Sequence, residues 1–370
     1  MLETYALWSE ITEPGDSIGG MLRRIIGAEQ ALELISDGIS ARDLACLLPA
    51  DNFQAPEFLQ ALADALECWR RRLATADANK SLDRISKING QLLTPESMQW
   101  PKAIDDLGDH TPAALWLVGK AETLKQPAIS VIGARLASAY GIRLTSDLVR
   151  FCVSKDWLIV SGGALGIDAK ASASALECGG NTVCVMAGGL DRLYPAANLE
   201  LFKLVCNSGA LVSEVAPGVS PSRWRFLQRN RLIAALGKAT VVVEAGYRSG
   251  SINTAGHANE LGRPVGAIPG PVDSVRSAGC HRLIREQRAE LIATPDQLAE
   301  LMGLQAEQIA GQQFKTTEQI RVLDALYGKV LSSVQVANLA GLTLAETELT
   351  LNQLSKLGLV RQISNGWQKL

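Results

Sequence analysis

Residues 128–168 read AISVIGARLASAYGIRLTSDLVRFCVSKDWLIVSGGALGID, and this stretch decides the fold. Two short apolar runs rich in β-branched residues, at 128–133 and 157–161, flank a helical stretch, and each gives way to glycine. Runs this short and this apolar suit strands buried on both faces. The texture continues with TVCVMA at 182–187, ALVSE at 210–214, TVVVE at 240–244 and PVGAI at 264–268, separated by helical stretches. Strand and helix in alternation imply an α/β protein with a doubly wound, mostly parallel sheet. Ligands of such sheets sit beyond the carboxyl ends of the strands, so function is sought in the residues that follow each run.

Outward from this core the texture changes twice. The first ~85 residues read as helical, with apolar residues at helical spacing over Leu22–Leu34 and more strongly over Phe58–Leu73. Between Asn89 and Lys120 the chain carries Pro95, Pro101 and Pro112 with little periodicity, and it reads as a connection into the next domain. Past Met302 comes a polar linker, GLQAEQIAGQQF. Three helices are expected after it, over Thr317–Leu326, Ser333–Leu339 and Thr343–Leu357, with Gly341 breaking between the last two. A small hairpin about Asn365-Gly366 would follow, giving the outline of a winged-helix domain. The expected domains are therefore 1–88 (helical), 89–303 (sheet), 304–314 (linker) and 315–370 (winged-helix-like).

A chain of 370 residues is too long for one ordinary domain, and 47% apolar with 20% charged residues excludes general disorder. The net charge of −2 argues against a uniformly basic coat. It hides an asymmetry: between Lys125 and Glu300 there are 19 Lys and Arg against 14 Asp and Glu, leaving 17 against 24 elsewhere. The seven cysteines include no C-x-x-C pair, and three histidines build no zinc-ligand spacing, so no metal is expected. The start lacks a basic n-region and no run of about 18 apolar residues occurs. The expectation is a reduced, cytoplasmic protein with no membrane association.

The strand ends carry the chemistry. Gly133-Ala134-Arg135 lacks the glycine spacing of a dinucleotide fingerprint, and an arginine there suits a phosphate, or else pairs with a neighbouring carboxylate. Ser161-Gly162-Gly163, running to Asp168, places glycines before a helix N-terminus, where free amides either meet an anion or simply relieve a tight turn. It has no lysine and hydroxyl of a phosphate-hydrolysing loop, and no cofactor is expected. Gly188-Gly189 permits close backbone approach, and Tyr194 either stacks or buttresses its loop. Arg223-Trp224-Arg225-Phe226-Leu227-Gln228-Arg229-Asn230-Arg231 is the densest basic run. It reads as a phosphate- and base-binding face or as a solvated helix with its aromatics turned inward. Ser249-Gly250-Ser251 and Thr254 open a helix after Glu244 and form another anion-sized nest, and Pro269-Gly270 lines the same edge. No Ser/His/Asp set is credible. Asp168, Glu214 and Glu244 are read as caps or arginine partners rather than as acid–base or Mg²⁺ groups, and no catalytic residue is assigned.

In order, the motifs are GARxxSxYG (133–141), SGGAxGID (161–168), GGLDxxYPxxN (188–198), SExxPG (213–218), RNRLIA (229–234), VVEAxxxSGSxxTA (242–255) and GRPVxAIPG (262–270). Together they closely resemble the DNA-processing protein A (DprA/Smf) family, strongly over Pro95 to Ile292. The resemblance implies an extended Rossmann-like core that binds single-stranded DNA in a basic pocket. It further implies dimerisation through that core and delivery of the strand to a RecA-type recombinase in natural transformation, without enzymatic activity. By position Arg135 matches the family's pocket arginine. The full nucleic-acid-binding set expected is Gly133, Arg135, Ser138, Ser161, Gly162, Gly163, Lys170, Gly188, Arg229, Asn230, Arg231, Ser249, Gly250, Ser251 and Thr254. Asp168, Glu214, Glu244, Tyr194, Pro269 and Gly270 would support it. Three positions depart from the family pattern: Ser172 where relatives carry histidine, Leu165 where many carry Lys or Arg, and Leu227 for a common proline. The first two remove possible charge from the pocket, for which Lys170 is a substitute. The rival reading is a nucleotide-processing enzyme resembling the lysine-decarboxylase-like phosphoribohydrolases, whose P-G-G-x-G-T-x-x-E run is missing here.

Overall fold

The structure is a computed structural model. It describes all residues except 50, 305–315, 328, 357–358, 364–365 and 370, with backbone alone at 51–52 and 356. The described residues form two compact units, Met1–Leu304 and Gln305–Leu370.

The first unit is built on one sheet. Its strands are β1 (Gly90–Leu93), β2 (Leu115–Gly119), β3 (Ala128–Ile132), β4 (Leu158–Ser161), β5 (Thr182–Val185), β6 (Ala210–Ser213), β7 (Ala239–Val242), β8 (Val265–Ala267) and β9 (Glu290–Leu291). Their spatial order is β1-β2-β6-β5-β4-β3-β7-β8-β9. From β3 to β9 every pairing is parallel, with Ile129 opposite both Ile159 and Ala239. The six apolar runs read from sequence are therefore strands of a mostly parallel sheet. The segment 89–120 is more than a connection. It supplies β1 and β2, which add to the β6 edge in antiparallel sense.

Each inner strand sends alternate residues to opposite faces, and both faces are apolar. Leu158, Val160, Val183, Val185 and Val242 pack on one side against α10 (Arg223–Leu236) and α11 (Gly250–Glu260). Ile129, Val131, Ile159 and Val241 pack on the other against α7 (Ala139–Ser154) and α8 (Ile167–Glu177). Further along that second face, Trp116, Cys184 and Leu211 meet α9 (Leu199–Ser208) and the N-terminal helices α1–α6, which lie at Leu2–Ile11, Ser17–Ile25, Ala28–Ser36, Ala41–Cys46, Pro56–Leu73 and Ala78–Ser86. The periodic stretch from Leu22 to Leu34 is split by Gly27 (φ +97°) into α2 and α3. Trp8 and Trp69 meet edge to face at 5.8 Å, and the indole N–H of Trp116 donates to Ser9, so each buried ring finds a partner for packing or for its polar edge.

After β6 the chain returns through α10 to place β7 beside β3. The loops following β3 and β7 therefore diverge and open a crevice at the carboxyl edge, the topological switch point of such sheets. The second unit has helices Thr317–Ala325, Ser333–Ala340 and Leu344–Lys356 and a three-stranded antiparallel sheet from 330–331, 360–363 and 366–369. Its own core includes Val322, Leu351, Leu354 and Trp367. Gly341 ends the middle helix in a left-handed conformation, and the expected turn residue Asn365 lies outside the described residues. Among the described residues no helix is long and apolar enough to cross a membrane.

Candidate nucleic-acid interface

A cavity of about 310 Å³ lies in the crevice. One wall is the loop after β3, with Gly133 and Arg135. A second is the start of α11, with Ser249, Gly250, Ser251 and Thr254. The third is the face of α10 carrying Phe226, Arg229, Asn230 and Ile233. Those four residues recur at i, i+3, i+4 and i+7, the spacing that puts them on one helix face. Phe226 was legible as the ring within a basic run, and its helical spacing to Arg229 is the signal that gives it to the cavity.

Charged groups beneath the cavity fix its shape. Glu244, at the end of β7, is buried and accepts from the Ser138 backbone N–H at 2.9 Å and from the Ser138 hydroxyl. Ser138 in turn caps α7 through the N–H of Gly141. A Cβ on Gly141 would lie 2.5 Å from the Glu244 carboxylate, so only glycine fits this approach. The backbone N–H groups of Gly133, Gly162 and Ala164, at the ends of β3 and β4, face the Asp168 carboxylate and favour its charged form. The amides expected to meet an external anion at Gly133 and Gly162 thus face the protein's own carboxylate. Burial raises the Asp168 pKa, opposed by Arg229 and by these amides.

Arg229 is only 6% exposed. It donates to the carbonyls of Gly162 (2.6 Å) and Val185. Its Nε has no partner among the described residues. Burial lowers its pKa to about 10, with Asp168 acting in the other direction, so it is cationic at neutral pH. The exposed guanidinium of Arg135 lies 5.2 Å from the Phe226 ring, Arg229 lies 5.8 Å from the same ring, and Tyr194 meets it edge-on at 5.8 Å. The cavity therefore presents two cations around the Phe226 ring, which Tyr194 backs, with the first turn of α11 adding the positive end of a helix dipole.

Other expected residues stand elsewhere. Ser161 is buried and donates to the Val131 carbonyl. Gly163 has φ +63° and, with Ala164, accepts from Asn198, which holds the turn. Gly188 backs onto Pro221. Lys170 pairs with Glu177 at 3.2 Å. Arg231, 4% exposed, pairs with Glu214 at 2.7 Å and does not line the cavity. Pro269 and Gly270 are held by Tyr140 and His281. Ser172 is buried against Thr182 and Cys184, so this departure from the family pattern removes no charge from the cavity. Leu165 is exposed.

Around the cavity the edge is basic. Arg135, Arg192, Arg223, Arg248 and Arg276 follow β3, β5, β6, β7 and β8, so the parallel sheet delivers all five to one side. All are exposed, and among the described residues none forms an ion pair with a carboxylate. Sequence reading missed one feature. Glu13, in the loop between α1 and α2, takes both Arg72 (2.8 Å) and Arg225 of α10 (3.0 Å), fastening the N-terminal helices to the first turn of the cavity helix. No local pattern announces a partner 212 residues away.

Comparison with known proteins agrees with this geometry. The family model described as DNA recombination-mediator protein A matches residues 91–303. The DNA processing protein DprA of Mycobacterium tuberculosis is 39% identical over 311 residues, covering 81% of this chain and 74% of that protein. The solved DNA processing protein A of Streptococcus pneumoniae superposes with a TM-score of 0.64 at 29% identity, over 85% of this chain and 98% of that one. The protein of the same name from Helicobacter pylori, described for its single-stranded DNA binding mode, gives 0.52 at 31% identity, over 57% and 94%. The sheet, its loaded carboxyl edge and these matches over most of the chain lead to one assignment: the chain belongs to the DNA recombination-mediator protein A (DprA/Smf) family.

Proposed function

We propose that this chain binds single-stranded DNA along the carboxyl edge of its sheet and acts as a recombination mediator. Phosphates are taken by Arg135 and the first turn of α11, and Phe226 and Tyr194 offer rings to unpaired bases. Arg229, Asn230, Ser249, Gly250, Ser251 and Thr254 complete the wall. Ser138, Asp168, Glu214 and Glu244 hold it in shape. The observation that carries the reading is the switch-point cavity with an exposed arginine, a buried arginine with a free N–H, and an aromatic ring between them. The Helicobacter pylori relative's single-stranded DNA binding supports it. In this reading the protein works in the cytoplasm as a homodimer through its sheet unit. It protects the incoming strand in natural transformation and presents it to a RecA-type recombinase, while the winged-helix-like C-terminal unit (315–370) makes protein contacts.

The test is fluorescence anisotropy with a labelled oligo-dT across a salt series. Wild type should bind, with affinity falling as salt rises, because the contacts are to phosphates. Arg135→Ala should weaken binding about tenfold at moderate salt and flatten the log–log slope by about 0.7. Unchanged affinity in the variant would overturn the pocket assignment. No binding by a folded wild type, with free base released from nucleoside monophosphates, would favour the phosphoribohydrolase reading instead.

A further inference from the structure

Beside the cavity, the loops after β3, β7 and β8 form a second surface that nothing in the pocket uses. Leu136 is 77% exposed, Tyr247 57% and Val275 78%. They belong to one patch because their loops are sewn together. Arg276 donates to the Leu136 carbonyl at 2.9 Å, the Ala245 N–H donates to the Arg276 carbonyl at 2.8 Å, and the backbone at Gly246 lies against Val275. Three large apolar side chains exposed on adjoining loops are unusual for a surface without a partner. The patch is also cationic. Arg248 and Arg276 are exposed without a carboxylate partner among the described residues, and Arg282, paired with Glu286, lies 5.0 Å from the Tyr247 ring. Against them the β8 loop sets one carboxylate, Asp273.

We propose that this patch is a shelf on which the DNA strand continues after leaving the cavity, with unpaired bases resting on Leu136, Tyr247 and Val275 and phosphates on Arg248 and Arg276. The inference rests on the proposed single-strand binding. Two observations choose this occupant over an apolar protein surface. The shelf is continuous with the cavity, since Leu136 follows Arg135 and Arg248 precedes Ser249. Its pairing of apolar faces with unpaired arginines complements a chain that alternates flat bases and phosphates.

Two double variants of the full chain separate the contributions, in the same anisotropy experiment with a long oligo-dT. Tyr247→Ala with Val275→Ser should weaken binding about fivefold or more at every salt concentration and leave the salt slope unchanged. Arg248→Ala with Arg276→Ala should flatten the slope by about 1.4, at roughly 0.7 per phosphate contact on a single strand. Affinity and slope unchanged in both, while Arg135→Ala still weakens binding, would remove the strand from the shelf and leave the cavity reading intact. Failure of wild type to bind would instead overturn the cavity reading on which the shelf depends. A fall in molar mass by light scattering on Val275→Ser would make the patch an interface between copies of the chain and overturn the proposal.

Discussion

Asp168 and Arg229 show how a charged pair shapes the pocket without serving as its ligand. Asp168 faces three backbone N–H groups, and Arg229 spends one nitrogen on two carbonyls. The sign of the Asp168 shift makes a testable statement. Its native pKa is raised, so the folded chain holds this proton to higher pH than the unfolded chain does. Its contribution to stability is therefore full at low pH and is lost as pH rises through the raised value. Asp168→Asn cannot ionise. Urea denaturation followed from acid to neutral pH should show a shallower fall for the variant over that window, together with a loss of ~1–3 kcal/mol overall, because an amide N–H₂ would face backbone donors. A variant profile parallel to wild type would mean Asp168 is not the group that titrates. Ser172 carries a related lesson: compared letter by letter with the family it looks like a lost charge, yet it packs inside the sheet unit.

At the scale of elements, α10 does two jobs. It carries Phe226, Arg229 and Asn230 to the cavity, and it sends Arg225 to Glu13 and Arg231 to Glu214. Removing the carboxylate in Glu13→Ala leaves Arg72 and Arg225 without their shared partner. At this partly exposed site it should cost about 1 kcal/mol, a shift of ~2–4 °C in melting temperature. Differential scanning fluorimetry reads it, and an unchanged melting temperature would show the clasp to be dispensable. The six inner strands were legible because burial on both faces writes an uninterrupted apolar run, and each lies within two residues of its run. β1, β2 and β9 were not. β9 is two exposed residues, and β1 and β2 gain their strand character from pairing with each other and, through β2, with β6. The site was legible to the same degree. Strand ends gave Arg135 and Ser249–Ser251, and the interleaved helix gave Arg229. The destination of Arg231 depended on Glu214, whose position relative to α10 only the tertiary fold determines.

For the whole molecule, the C-terminal unit has an apolar core of its own, as the sheet unit does. The fragment 1–304 should fold, melt cooperatively by circular dichroism, and bind oligo-dT with the affinity of the full chain. Weaker binding by a folded fragment would assign the C-terminal unit a share of the contact. The parallel run from β3 to β9 has a practical consequence. Every loop that carries an arginine of the site emerges at one end of the strands, and each following helix runs back to the other end. Cys178, the exposed residue that ends α8, therefore stands across the sheet from the cavity. A dye or a solid support coupled to that thiol would hold the molecule by its far side and leave the proposed DNA-binding edge facing solution.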